Sequence, residues 1–153
     1  MMDADAQASP HVRTAKLSVA KMQELVSDGV PLAAHLGCRV EVLDYGSARL
    51  SLPYRAELLR PGGTIGGPAM MTLADVAIWA AILSMVGPME LAVTTDLTFH
   101  FLRKPQPSDL YANARTLQLG RRLAIADCLI AGIDDAHPVA HAVGTYALPE
   151  GAG

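Results

Sequence analysis

The chain has 153 residues, about half of them hydrophobic, with a net charge of −3 and few aromatic residues. That length and apolar content suit one domain with its own core. The acidic balance argues against a nucleic-acid binder, whose footprint would be basic, and the scarcity of aromatic rings argues against base-stacking platforms.

Residues 1–16 read as a flexible polar lead-in without the apolar region of a signal peptide, ahead of a single domain over residues 17–149. Ser18 can cap a short helix through VAKMQELVSD, ended by Gly29, and Pro31 opens a second short helix, PLAAHLG. In GCRVEVLDYGSARLSLPY, Val40 and Val42 alternate with Arg39 and Glu41, and Ala48, Leu50 and Leu52 with Arg49 and Ser51. This predicts two strands joined by a turn near Tyr45-Gly46. AELLRPGGTIGGP reads as a loop feeding a long apolar helix from Ala69 to Val86, framed by Gly66-Gly67-Pro68 and Gly87-Pro88.

Strands fill the remainder. LAVTTDLTFHFLRKP alternates Val93, Thr95, Leu97, Phe99 and Phe101 against Thr94, Asp96, Thr98 and His100, until Pro105 and Pro107 break it. DLYANARTLQLG and RRLAIADCLIAGI form a hairpin about Gly120, Asp134-Asp135 makes a turn, and PVAHAVGTYAL is the last strand. The expected fold is therefore α+β. An antiparallel sheet, its last four strands in meander order, curves around the long helix, the only element large enough to cover the sheet's apolar face.

Asp75 is the only charge between Gly62 and Leu83, and Met71, Ile78 and Trp79 are its helical neighbours. It makes a membrane span costly, so this helix is expected inside a protein core. No Arg, Lys or His lies three or four positions away to pair with it. Asp75 is then either a buried structural residue with a hydrogen-bond partner or a reacting group.

Upstream, Gly66 and Gly67 allow close backbone approach to a ligand, and Pro68 suits a first helical turn. Free N–H groups at that helix start favour a developing negative oxygen. An oxyanion site and a carboxylate are the two parts needed to hydrolyse an ester or thioester. Gly67 and Asp75 are eight positions apart, about 12 Å along a helix at ~1.5 Å per residue. One helix cannot serve both roles on one thioester. A two-fold dimer with antiparallel helices could pair Gly67 of one chain with Asp75 of the other, giving two interfacial sites.

Other chemistries lack their residues. His11, His35, His100, His137 and His141 show no metal-site spacing, so no metal is expected. There is no G-x-S-x-G elbow and no nucleotide fingerprint, and no cofactor is expected. Cys38 and Cys128 match neither metal nor redox spacing and read as reduced packing thiols of a cytoplasmic protein.

GGPAMMTLADVA, AVTTDLTFHFLRKP, GRRLAIADCLI and VAHAVGTYAL, taken in this order, resemble the hotdog-fold acyl-CoA thioesterases of the PaaI type over roughly Leu32 to Leu148. The resemblance implies a curved sheet around one central helix, an acyl-CoA substrate, and composite sites in a homodimer or a homotetramer built as a dimer of dimers. It places Asp75 at the catalytic carboxylate, as base toward water or as nucleophile, and Gly67 at the amide that polarises the thioester carbonyl. Gly66 stands where the family usually has His, Pro68 replaces a second Gly, and Arg60 sits about where many members have Asn. The resemblance further implies nucleotide contacts from Arg121 and Arg122; Arg103 and Lys104 end a strand and could flank the same channel. Trp79, one turn past Asp75, could wall an apolar pocket, which with nearby methionines suits a medium-chain or aryl acyl group. A non-catalytic acyl-CoA-binding protein is the alternative function.

Overall fold

The computed structural model describes residues 12–134 and 136–151. The first eleven residues of the expected lead-in, and Asp135 of the expected Asp134-Asp135 turn, lie outside the described residues. Of the rest of the lead-in, Arg13 donates to the Tyr45 hydroxyl at 3.1 Å and the Lys16 amide to the Ser84 carbonyl at 2.7 Å.

Two short helices come first, α1 (Val19–Gly29) and α2 (Pro31–Leu36). Ser18 caps α1 by accepting the Lys21 N–H at 3.1 Å. Strands β1 (Arg39–Asp44) and β2 (Ser47–Leu52) follow. The segment expected as a loop then folds into a small hairpin, β3 (Leu59–Arg60) and β4 (Thr64–Ile65). Gly62 and Gly63 turn it with φ of 99° and 75°, a left-handed geometry that favours glycine. Helix α3 (Gly67–Val86) starts two residues before the expected Ala69, because Gly66 takes the cap position and Gly67-Pro68 fit the first turn. Strands β5 (Val93–Phe101), β6 (Leu110–Leu119), β7 (Leu123–Gly132) and β8 (Ala140–Ala147) complete the chain.

The six long strands form one antiparallel sheet in the order β1-β2-β6-β7-β8-β5. This corrects the expected meander of the last four strands. β5 does not pair with β6 but lies at the far edge, beside β8. The link between them is too long and too rich in proline (Pro105, Pro107) for a tight hairpin turn.

Helix α3 lies in the concave face of this sheet, and its residues from Val76 to Ser84 are all buried. The sheet meets it with small residues: Ala112, Ala114, Ala124, Ala126, Ala140 and Ala142 are buried at alternate strand positions. That low floor admits the larger Leu73, Ile78, Ile82 and Leu83 of α3, each fully buried. The helix is long and apolar enough to cross a bilayer, yet two-thirds of its most apolar stretch is enclosed by this fold. At the β1 edge, Gln23 of α1 accepts the Val40 N–H at 2.7 Å and donates to the Cys38 carbonyl at 3.4 Å.

Cys38 and Cys128 are buried and unpaired. Burial raises the Cys38 thiol to about 11 despite nearby Arg55, and the Cys128 thiol to about 12. A thiolate is the reactive form. Near pH 8, a thiol reagent should therefore label neither residue in the folded protein and both after unfolding in urea; rapid labelling without denaturant would contradict this packing.

Candidate active site

Asp75, near the middle of α3, lies against the start of β5 and the end of β8. The Thr94 hydroxyl donates to its Oδ1 at 2.9 Å. The Tyr146 hydroxyl lies 2.8 Å from the same Oδ1 and 3.0 Å from the Asp75 carbonyl oxygen. Oδ2 takes no hydrogen bond from any described residue. One oxygen is therefore fixed and the other left open. The carboxylate lines a cleft of about 200 Å³ together with Gly29, Val30, Trp79, Val93 and Tyr146. The Trp79 indole is buried against this cleft, its N–H without a described partner.

Thr94 reaches Asp75 through a change of strand phase. Strict alternation puts Thr94 on the face opposite Leu97 and Phe99. In the structure the register runs Val93↔Ala147, Thr94↔Tyr146, then Asp96↔Thr145, so Thr95 is an extra residue in a β-bulge. Thr94, Leu97, Phe99 and Phe101 consequently stand opposite the inward-facing Tyr146, Gly144, Ala142 and Ala140. Thr95 and Asp96 do not approach the carboxylate: the Thr95 hydroxyl donates to the Thr145 carbonyl at 3.2 Å, and Asp96 accepts from Thr98 at 3.3 Å. Sequence reasoning missed Tyr146. Its signal was an inward tyrosine in the alternation Ala140, Ala142, Gly144, Tyr146, since a buried phenol requires an acceptor.

Gly67 belongs to a different cleft, of about 470 Å³, lined among others by Arg60, Met70, Phe101, Arg103 and Lys104. The β3–β4 hairpin brings Arg60 there, and the end of β5 brings Arg103 and Lys104. The Phe101 ring sits over Gly67 so closely that a Cβ would fall 2.9 Å from Cζ, and the ring would have to shift to admit one. As the first residue of α3, Gly67 has an amide with no acceptor within the helix. Gly66 is the cap residue, and its own N–H donates to the Leu58 carbonyl at 2.8 Å.

Arg121 and Arg122 line neither cleft. They occupy the β6–β7 turn, at the sheet end where β8 finishes and β5 begins, which is the Asp75 end. Arg122 pairs with exposed Glu150 at 3.0 Å. His141 and Arg115 both contact Asp127. No group of three metal-ligating side chains occurs among the described residues. Within one chain, then, the carboxylate and the free helix-start amide open into separate clefts at the two ends of β5.

A model of the thioesterase superfamily matches residues 62–135. Among solved structures, the chain is similar to a protein of Silicibacter sp. TM1040 that carries a thioesterase assignment, with 34% identity, 91% of this chain and 96% of that one covered, and a TM-score of 0.80. It is also similar to a conserved protein of Pseudomonas aeruginosa, at 28% identity over 77% of this chain and 93% of that one, with a TM-score of 0.70. Zebrafish thioesterase superfamily member 2 shares the fold at 19% identity, with 87% and 99% of the two chains covered and a TM-score of 0.76. No curated protein matches the chain.

Burial, with the nearby Asp75 charge, pushes the Tyr146 hydroxyl far above the ordinary tyrosine range. The folded state therefore resists ionising it, while the unfolded chain ionises it near pH ~10. The resulting stabilisation is complete below that pH and is lost as the pH rises above it. Between about pH 9 and about pH 11, urea midpoints should fall more steeply for the wild type than for Tyr146→Phe. Parallel curves would show that Tyr146 is not held as described.

Proposed function

We propose that this chain, which belongs to the thioesterase superfamily, hydrolyses a medium-chain or aryl acyl-CoA to the free acid and CoA. The observation that carries this reading is the state of Asp75. Asp75, held through Oδ1 by two hydroxyls and with no described donor on Oδ2, lines a cleft walled by Trp79, Val30 and Val93. Oδ2 takes a proton from water as the water oxygen attacks the thioester carbonyl carbon. The carbonyl electron pair moves onto oxygen, and its return expels the CoA thiolate, which takes the proton back from Asp75. The tether on Oδ1 favours this base role over nucleophilic attack, which would pull the carboxylate toward the carbon.

The oxyanion donor is the Gly67 amide of the partner subunit. β5 is an edge strand whose residues Val93 and Phe101, with Leu102 beyond, are more than half exposed. Pairing two β5 strands antiparallel about a two-fold axis near Leu97 sets the Val93 end of one against the Phe101 end of the other. The Asp75 cleft of one chain then adjoins the Gly67 cleft of its partner. Arg60 and Arg103 from one chain, and Arg121 and Arg122 from the other, would flank this joint site and serve the phosphates of CoA. A PaaI-type subgroup and a dimer of such dimers accord with this reading, as does a cytoplasmic setting for two unpaired buried thiols.

The glycine at position 66, where the resembled family usually carries His, favours a second reading, acyl-CoA binding without turnover. One assay separates the two: CoA release from a panel of acyl-CoA thioesters. Asp75→Asn should lower kcat at least about 100-fold with the oligomer intact. Binding of acyl-CoA by the wild type without any release would establish the second reading. The double substitution Arg60→Ala with Arg103→Ala should raise KM about tenfold for acyl-CoA and leave it unchanged for the matching acyl-pantetheine thioester, which lacks the nucleotide phosphates. An equal change for both thioesters would remove the arginines from the phosphate site.

A further inference from the structure

We infer that Tyr146 is a positioning residue that selects Oδ2 of Asp75 as the reacting oxygen and follows the carboxylate's change of charge during turnover; this rests on the hydrolase reading above. The Tyr146 hydroxyl has one proton and two acceptors within reach, Asp75 Oδ1 at 2.8 Å and the Asp75 carbonyl oxygen at 3.0 Å. Both belong to one residue, so a small rotation of the O–H bond moves the proton between them without moving the ring. Tyr146 is 4% exposed on the inner face of β8.

While Asp75 is ionised, the charge-assisted bond to Oδ1 is the stronger of the two. Oδ1 then has two donors, from Thr94 and Tyr146, and its lone pairs are committed; Oδ2 keeps its own for the water proton. Once that proton sits on Oδ2, Asp75 is a neutral acid and Oδ1 a weaker acceptor. The Tyr146 proton can turn to the carbonyl oxygen, so no buried donor is stranded in either charge state. When the leaving thiolate reclaims the proton from Oδ2, Tyr146 returns to Oδ1. The phenol never gives up its own proton, in keeping with the raised ionisation set by its burial. Thr94, whose hydroxyl donates to Oδ1 and also lies within hydrogen-bond reach of the Tyr146 oxygen, supplies the fixed half of the clamp.

A double-mutant cycle on acyl-CoA turnover tests this. Tyr146→Phe keeps the ring and removes the hydroxyl. It should lower kcat about 10- to 100-fold with KM within about twofold. In the Asp75→Asn background the same change should have no further effect. Thr94→Val, which leaves the turning hydroxyl in place, should cost less in kcat than Tyr146→Phe. Wild-type kcat in Tyr146→Phe, a full additional loss in the Asp75→Asn background, or an equal loss in Thr94→Val would each overturn the inference while leaving the hydrolase reading intact. Undiminished turnover in Asp75→Asn alone would instead overturn the hydrolase reading, and this inference with it.

Discussion

The structure depends on enclosing α3. A twenty-residue helix with one charge has no face to offer water, so its neighbours must surround it. The sheet does so with a floor of alanines, which lets the two layers approach closely and leaves room for the branched and aromatic side chains of the helix. Larger residues at Ala112, Ala126 or Ala142 would push the layers apart. The curvature of the sheet and the burial of α3 from Val76 to Ser84 are two aspects of one packing solution.

That enclosure also defines the candidate site. With α3 wrapped, a polar group on it survives only where the wrapping opens or supplies partners. Ser84 is the enclosed case: its hydroxyl donates to the Ala81 carbonyl at 2.6 Å and accepts the Gly46 amide at 2.8 Å. Asp75 is the partly open case, with one oxygen bonded to the sheet and the residue lining a cleft. The free amide of Gly67 lies where the helix emerges under Phe101. The Asp75 carboxylate and the Gly67 amide thus both fall beside β5, the edge strand that closes the wrap. The same edge carries the exposed apolar residues through which a second chain would bring the two halves together.

Much of the fold was legible because its signals are local. Alternation marked the strands, glycine and proline marked the ends of the long helix, and its single carboxylate stood out against an apolar run. Where the expectation failed, a longer-range contact had decided the outcome. Nothing in the β5 sequence announces that its partner is the last strand. Nothing in the run Val93-Thr94-Thr95-Asp96 announces a bulge, because threonine is acceptable on either face of a strand. The loop expected before α3 closes into a hairpin because two glycines take a turn geometry that composition alone does not require.

By itself the sequence determined the helices and the six long strands, the α+β class, and the two groups on one helix that suggest thioester chemistry, since propensity, alternation and the cost of a lone buried charge act along the chain. Only the tertiary structure decided what those groups touch. The bulge at Thr95 turns Thr94 inward, the β8 register delivers Tyr146 to the same oxygen, and the packing of α3 against β5 assigns Asp75 and Gly67 to separate clefts. Tyr146 is 71 positions from Asp75. Contacts across that separation are set by strand register and by which side chains the core can accommodate, and both exist only once the chain has folded.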